Sequence, residues 1–525
     1  RHHRMGVEAS DLEGSAQASS GSAPGGGSDY LSILAGTSQN VVGIVVAALA
    51  TLGAQVLLTR TLGAGGFGVV TVATQAAFVT SFATRAGMDM AVLRDVAVEV
   101  GVGRTDRIRA AVSRAALIAG AASIGVALLL WPLSGAVRSL FSLDEPSSRL
   151  AIPAALVGLP FIALTNVWLA ATRGLKIMRY TLYVFWAGQP IGWIFLTLLF
   201  WTVSKSPSAA VLAYSASWAV AAVAAFVSWR IQSRRWATES LDPGWLDRLI
   251  RYAGPRAPAA LFSQLLFWAD LFVVTRYVSH ADVGIYSAAL RAGQIVILFL
   301  TSVNLMFSPY VADLHNRGEI SRLDALYKTL TRWTIAATLP AFLVLAVAPG
   351  TALRVFGGQF SGGETALLIL LAGQLVNIAT GSAGFVLIMV GRSGWDFVVY
   401  LGSLAFELVL AFWWCPRYGI EGAAAANAVT FAVSNAARLV LVKRFVNIQP
   451  YDRDYARLIL PAVVGLGAMV LVHAAVPGGW AIDLVATAAV GAASYVGAYL
   501  VVGLTTAERA GANKLLSRFR GNRPA

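Results

Sequence analysis

Apolar residues run along this chain in long unbroken blocks separated by short polar stretches. The blocks show neither the two-residue alternation of a barrel strand nor the narrow stripe of a soluble amphipathic helix. A block of ~20 residues crosses a hydrocarbon core of ~30 Å as an α-helix. The pattern therefore predicts an all-α integral membrane protein of about fourteen transmembrane helices. The expected spans are 38–59, 67–88, 111–133, 150–171, 181–203 and 208–229 in a first half, and 257–278, 284–309, 333–354, 364–390, 396–415 and 422–442 in a second. A terminal pair follows at 456–475 and 482–504. Prolines interrupt several spans, among them Pro160, Pro190, Pro340 and Pro461. Bundle neighbours re-satisfy the carbonyls such prolines free.

Composition excludes a soluble domain. Of 525 residues, 57% are hydrophobic and only 13% are charged, against about 25% charged in soluble proteins. The mean hydropathy is +0.68. Lys and Arg orient the bundle: loops such as 89–110, 172–180, 230–256 and 310–332 are basic, and the alternate loops hold only Arg60, Arg138, Arg149, Lys205, Arg276, Arg354 and Arg417. This bias, about four to one, predicts that both termini are cytoplasmic. It also accounts for the net charge of +14 as charge facing anionic lipid, so no nucleic-acid partner is expected. The expected division is a disordered cytoplasmic leader 1–37, a first lobe 38–229, a basic linker 230–256, a second lobe 257–442, a helix pair 443–504 and a basic tail 505–525. Residues Arg1 to Met5 read either as a tag remnant or as an early start, and no cleavable signal is recognised.

The chain repeats itself once. Thr59-Arg60 and Phe67-Gly68-Val69 recur, at a constant offset of 216, as Thr275-Arg276 and Val283-Gly284-Ile285. An even number of spans separates the copies, so the two six-helix lobes are parallel repeats, with a substrate site expected in the cleft between them near the midplane.

Polar residues inside the spans recur at helical spacing. Ser287, Arg291, Gln294, Thr301 and Asn304 fall on one face of the eighth span, and Asn427, Thr430, Ser434 and Arg438 on one face of the twelfth. Gln374 and Asn377 lie in the tenth span, and Thr71, Thr74, Gln75, Ser81, Arg85 and Asp89 in the second, where Arg85 and Asp89 are spaced to pair. Neutral groups of this kind also serve as glue between helices. Charges are different, because a mid-bilayer charge costs at least ~2.5–3.5 kcal/mol. Arg291, Arg85, Gln294, Asn304, Gln374, Asn377 and Asn427 are the candidates for contacting a substrate. Arg60 and Arg276, at the outer membrane edge, are further candidates but have the position of snorkelling residues, as has Arg438 at the inner edge. Asp270, Glu407 and Asp89 are candidates for ion coupling, against the alternative of permanent ion pairs. A single cysteine, Cys415, leaves no intramolecular disulfide, and the five histidines have no metal-ligand spacing. No P-loop, nucleophile elbow or HExxH pattern is present. A transporter without a cofactor is expected, not an enzyme.

Arg60-Thr61-Leu62-Gly63 through Phe67-Gly68, Asp270 through Val283-Gly284-Ile285-Tyr286-Ser287-Ala288-Ala289, Phe307-Ser308-Pro309, Val390-Gly391-Arg392 and Cys415-Pro416-Arg417-Tyr418-Gly419-Ile420-Glu421-Gly422 together resemble the Wzx-type polysaccharide-biosynthesis flippases. These belong to the multidrug/oligosaccharidyl-lipid/polysaccharide exporter (MOP) superfamily. The resemblance runs from about residue 30 to the end. It implies flipping of a polyprenyl-diphosphate-linked oligosaccharide from the cytoplasmic to the outer leaflet of a bacterial inner membrane. A polysaccharide polymerase and other assembly proteins are the partners it implies. Three rivals stand beside it. A cation-coupled drug exporter shares the fold, but its site favours acids and aromatics over an arginine such as Arg291. A lipid II flippase is expected to carry charge in its first span, where this chain has Gln39, Asn40, Thr51 and Gln55. A membrane glycosyltransferase or ligase needs a large outer loop that the expected spans leave no room for.

Overall fold

The computed structural model describes residues 26–509 apart from 102–104, 144–145, 235, 237–243, 477 and 506–507. Leader residues 1–25, linker residues 235 and 237–243 and tail residues 510–525 lie outside the described residues. The described residues form helices and no strand. These are α1 (Gly26–Arg85), α2 (Met88–Gly101), α3 (Ile108–Leu130), α4 (Ser134–Leu140), α5 (Ala151–Gly174), α6 (Gln189–Phe200), α7 (Pro207–Ser233), α8 (Trp245–Val274) and α9 (His280–Gln294). The second half continues with α10 (Leu298–Asn316), α11 (Ile320–Val347), α12 (Pro349–Leu353), α13 (Glu364–Thr380), α14 (Ala383–Met389), α15 (Ser393–Val446), α16 (Ile459–Ala475) and α17 (Trp480–Ala498). Because α1 starts at Gly26, residues 26–37 of the expected leader are helical.

Twelve helical stretches among the described residues are long and apolar enough to cross a membrane. Two exceed one crossing: Val46–Arg85 with 40 residues and Ser393–Val446 with 54. Each is divided by one glycine with positive φ, Gly63 (68°) and Gly419 (56°), a conformation that a side chain would strain. The chain turns back at Gly419, since Asn427 reaches Glu407, twenty positions earlier, within 3.2 Å. The described residues thus give twelve such stretches against the fourteen expected, and the two long ones each hold two of the expected spans.

Two spans expected to be continuous are broken. The eighth is α9, a 3₁₀ turn at Ile295–Ile297, then α10. A 3₁₀ turn rotates faster than an α-helix, so the expected stripe through Arg291, Thr301 and Asn304 does not hold one face, and Thr301 is exposed. The tenth breaks at Gly381 (φ 61°), and Tyr327 donates its hydroxyl to the Thr380 carbonyl there (2.7 Å).

Close approach holds the bundle together. Within the first lobe, Gly158 of α5 leaves room for Ser215 of α7, whose hydroxyl donates to the Ala154 carbonyl at 2.6 Å. Between lobes, the repeat-related Gly68 and Gly284 meet. A Cβ on Gly284 would lie 1.9 Å from the Ala64 carbonyl oxygen, and one on Gly68 would lie 2.4 Å from that of His280. Phe67 packs edge-on to Phe360 beside them, at 6.1 Å. The lobes are thus sealed together at this end, called the Arg60 end below. The α16–α17 pair docks on the second lobe through the Tyr495 hydroxyl, which donates to the Ala336 carbonyl at 2.9 Å.

Candidate functional site

Arg291 lies eleven residues into α9, about 16 Å along the helix from His280. Its guanidinium sits 4.7 Å from the Trp268 ring centroid of α8. Its Nε is buried without a hydrogen bond, and no described carboxylate pairs with it. Stacking on an indole holds the guanidinium face while leaving its N–H edge free, the geometry in which arginine binds an oxyanion.

Asp270 and Glu407, both 0% exposed, form a second centre inside the second lobe. The Tyr286 hydroxyl donates to Asp270 Oδ2, and Asn427 donates to Glu407 Oε1 at 3.2 Å while also neighbouring Asp270. Glu407 Oε2 and the nearby stripe residue Thr430 are buried with no partner for their side-chain oxygens. Neither acid is ion-paired with an arginine among the described residues, so the permanent pairing weighed from sequence is not found. Asn427 lines a small cavity of about 10 Å³ together with Gln294 and Gln374. Gln374 accepts from Asn377 (3.2 Å), and Asn377 accepts from Asn435 (3.3 Å), so a polar ladder runs from the acid pair toward the break at Gly381. Asn304 joins that break by accepting from the Ser382 hydroxyl.

The remaining candidates lie elsewhere. Arg85 is 2% exposed and pairs with Asp89 at 3.0 Å, the expected i, i+4 contact, with its guanidinium 3.9 Å from the Phe82 ring centroid. Asp89 is therefore a paired acid, unlike Asp270 and Glu407. Arg60 donates across the lobe boundary to the carbonyls of Val355 (3.1 Å) and Arg354 (3.3 Å), and Arg276 is exposed with no side-chain bond to another described residue. Neither is brought to Arg291. Arg438, expected to snorkel, instead is 8% exposed and pairs with Asp396 at 2.9 Å. The second-span Thr74 and Ser81 bond carbonyls of their own helix, and so act as satisfied helix residues. Sequence reasoning missed Trp268, Tyr286 and Asp396. Only Asp396 left a signal, as an acid just inside a span.

Comparison with known proteins places the fold. Residues 33–315, more than half of the chain, match the family described as polysaccharide biosynthesis protein. The probable low-salt glycan biosynthesis flippase Agl15 of Haloferax volcanii is 23% identical over 202 residues, 38% of this chain. The chain spans 43% of that relative's length in this match. Among solved structures, the lipid II flippase MurJ in an inward closed conformation superimposes with a TM-score of 0.69 at 14% identity, over 88% of this chain and 98% of that one. An inward-facing MATE-family multidrug resistance transporter of the MOP superfamily gives 0.65 at 15% identity, over 76% and 94%. These likenesses are likenesses of fold. The resemblance read from the sequence is borne out: this is a multi-pass membrane protein with a MOP-superfamily fold, and the chain belongs to the polysaccharide biosynthesis protein family.

Proposed function

We propose that the protein is a transporter that flips a polyprenyl-diphosphate-linked glycan across the cytoplasmic membrane by alternating access. The observation that carries this reading is Arg291: a mid-membrane guanidinium between the lobes, stacked on Trp268 and with no carboxylate partner. A half-buried cation within the membrane span and without an anion is costly, and a diphosphate supplies the missing charge with oxygens matched to the guanidinium fork. The flippase name of the archaeal relative supports the same reading. The loop charges put the Arg60 end outside and both termini in the cytoplasm, so the Gly68–Gly284 contact closes the outer side. Cargo then enters from the cytoplasmic leaflet, and a rocking of the lobes about the site opens the outer side. A polysaccharide polymerase and other assembly proteins would receive the product.

The acid pair is the proposed coupling site. Two buried carboxylates with no described cation call for a proton or a metal cation of small charge. Asp270, Glu407, Asn427 and Thr430 hold oxygens suited to either. The fold is shared with drug exporters, whose cationic substrates do not suit an arginine-centred cleft. The test is flipping by the purified protein in liposomes: Arg291→Gln should lose at least tenfold in rate with normal insertion. Extrusion of a cationic dye with full lipid-linked-glycan inactivity would sink the reading.

A further inference from the structure

At the Arg60 end, a cavity of about 460 Å³ opens where the second lobe meets α16, within the ~300–1,000 Å³ range of small-molecule sites. Val347 of α11 and Pro349 of α12 give it an aliphatic patch. The exposed Arg354 and Glu364 line it too, and neither side chain has a hydrogen bond or ion pair with another described residue. Gly350 makes room for that acid, since a Cβ there would lie 2.6 Å from Glu364 Oε2. From α16 comes His473, whose Nδ1 lies 2.9 Å from Asp483 Oδ1 of α17. Asp483 is 8% exposed and also accepts from the hydroxyls of Thr351 at 3.1 Å and Thr487 at 3.2 Å. A carboxylate only accepts, so the Nδ1–H donates and the ring is held in one orientation. That leaves Nε2 as the open nitrogen of an imidazole in the cavity wall.

The fitting ligand follows from the two unpaired charges of opposite sign. A simple anion attracted by Arg354 is repelled by Glu364, and a simple cation meets the reverse. A hydroxylated ring suits both, because each hydroxyl donates to a carboxylate or accepts from a guanidinium, and Nε2 takes either role. Its C–H face has Val347 and Pro349 to rest on. Position adds the source of such a ring. Arg60 of the first lobe donates to the carbonyls of Arg354 and Val355, at 3.3 and 3.1 Å, so the cavity wall is part of the segment on which the lobes close. Resting on the transport reading above, which puts this end outside, we infer that the cavity is a saccharide site that takes a sugar unit of the glycan as it leaves the cleft. The sugar is then held beside the contact that must break for the outer side to open.

Flipping by the full-length protein in liposomes tests this with two fluorescent lipids, a polyprenyl-diphosphate saccharide and the same polyprenyl diphosphate without its sugar. The readout is the ratio of the two rates. Glu364→Gln and His473→Phe should each lower that ratio about fivefold at equal incorporation, the effect of one lost hydrogen bond to the sugar. Glu364→Gln, at an exposed position, decides the matter if His473→Phe fails to fold. The free oligosaccharide, added at millimolar concentration, should lower the parent's ratio in the same way, and phosphoethanolamine should not. An unchanged ratio in the folded variants, with the parent flipping both lipids, overturns this inference alone. An equal effect of phosphoethanolamine makes the cavity a site for a zwitterionic headgroup and overturns the saccharide. A parent that moves neither lipid overturns the transport reading and this inference with it.

Discussion

Gly68 and Gly284, 216 positions apart and equivalent in the internal repeat, pack against each other where the two lobes meet. A two-fold relation between parallel repeats brings equivalent positions together on its axis, and only glycine lets the two backbones come so close. The contact is therefore both the signature of the repeat and the seal of one face of the transporter.

Gly284→Val should destabilise that seal, because the new side chain meets the Ala64 carbonyl within 1.9 Å, an overpacking of about 1–3 kcal/mol. In a Cys415→Ala background, Ala64→Cys should react slowly with an impermeant maleimide applied from outside. Adding Gly284→Val should speed that labelling several-fold. Unchanged labelling would remove the glycine pair from the gate.

Arg60 and Arg276 are repeat equivalents with unequal surroundings. Arg60 bonds two carbonyls of the other lobe and lies 5.5 Å from the Trp480 ring centroid, whereas Arg276 is exposed. Arg60→Ala should raise the same external labelling rate two- to fivefold, while Arg276→Ala should leave it alone. Equal effects of the two substitutions would mean that the contacts seen here do not hold the face shut.

The Asp396–Arg438 pair is a test of stability, not of transport chemistry. Both side chains are nearly buried, at 5% and 9% exposed, and Arg438 also bonds Ser434 and stacks on Tyr400. Removing one partner leaves a buried charge and should cost about 3–5 kcal/mol. Asp396→Ala should thus lower the melting temperature sharply, and the double replacement Asp396→Leu with Arg438→Met should recover much of it. A single variant as stable as the parent would show the pair to be solvated in the membrane-embedded protein.

The acids Asp270 and Glu407 should separate folding from energy coupling. Asp270→Asn and Glu407→Gln keep shape and the bonds from Tyr286 and Asn427 while removing charge. Each should insert at the parental level yet lose at least tenfold of the rate gained from a proton or sodium gradient. Gradient-dependent flipping in both variants would leave the pair a structural role only.

Spans, repeat and the arginine were legible in the sequence because each depends on a local pattern. Hydropathy marks the crossings, a fixed offset marks the repeat, and a lone arginine such as Arg291 is conspicuous in an apolar block. What stayed hidden depends on pairings between distant helices. Arg438 looks like a snorkelling residue until Asp396, forty-two positions earlier, is seen beside it. The 3₁₀ turn at Ile295–Ile297 is apolar throughout and the lone Gly293 before it is a weak signal, so the eighth-span stripe runs straight through a change of helical phase.

The central claim concerns cargo and direction, and leaflet-resolved flipping addresses it most directly. A fluorescent polyprenyl-diphosphate saccharide would be placed in liposomes holding the purified protein, and the fraction exposed to an external quencher followed with time. The account predicts movement between leaflets by the parent, at least a tenfold loss in Arg291→Gln at equal protein incorporation, and no movement of the same lipid lacking its diphosphate. Flipping by Arg291→Gln at the parental rate, or equal flipping of the uncharged lipid, would contradict it.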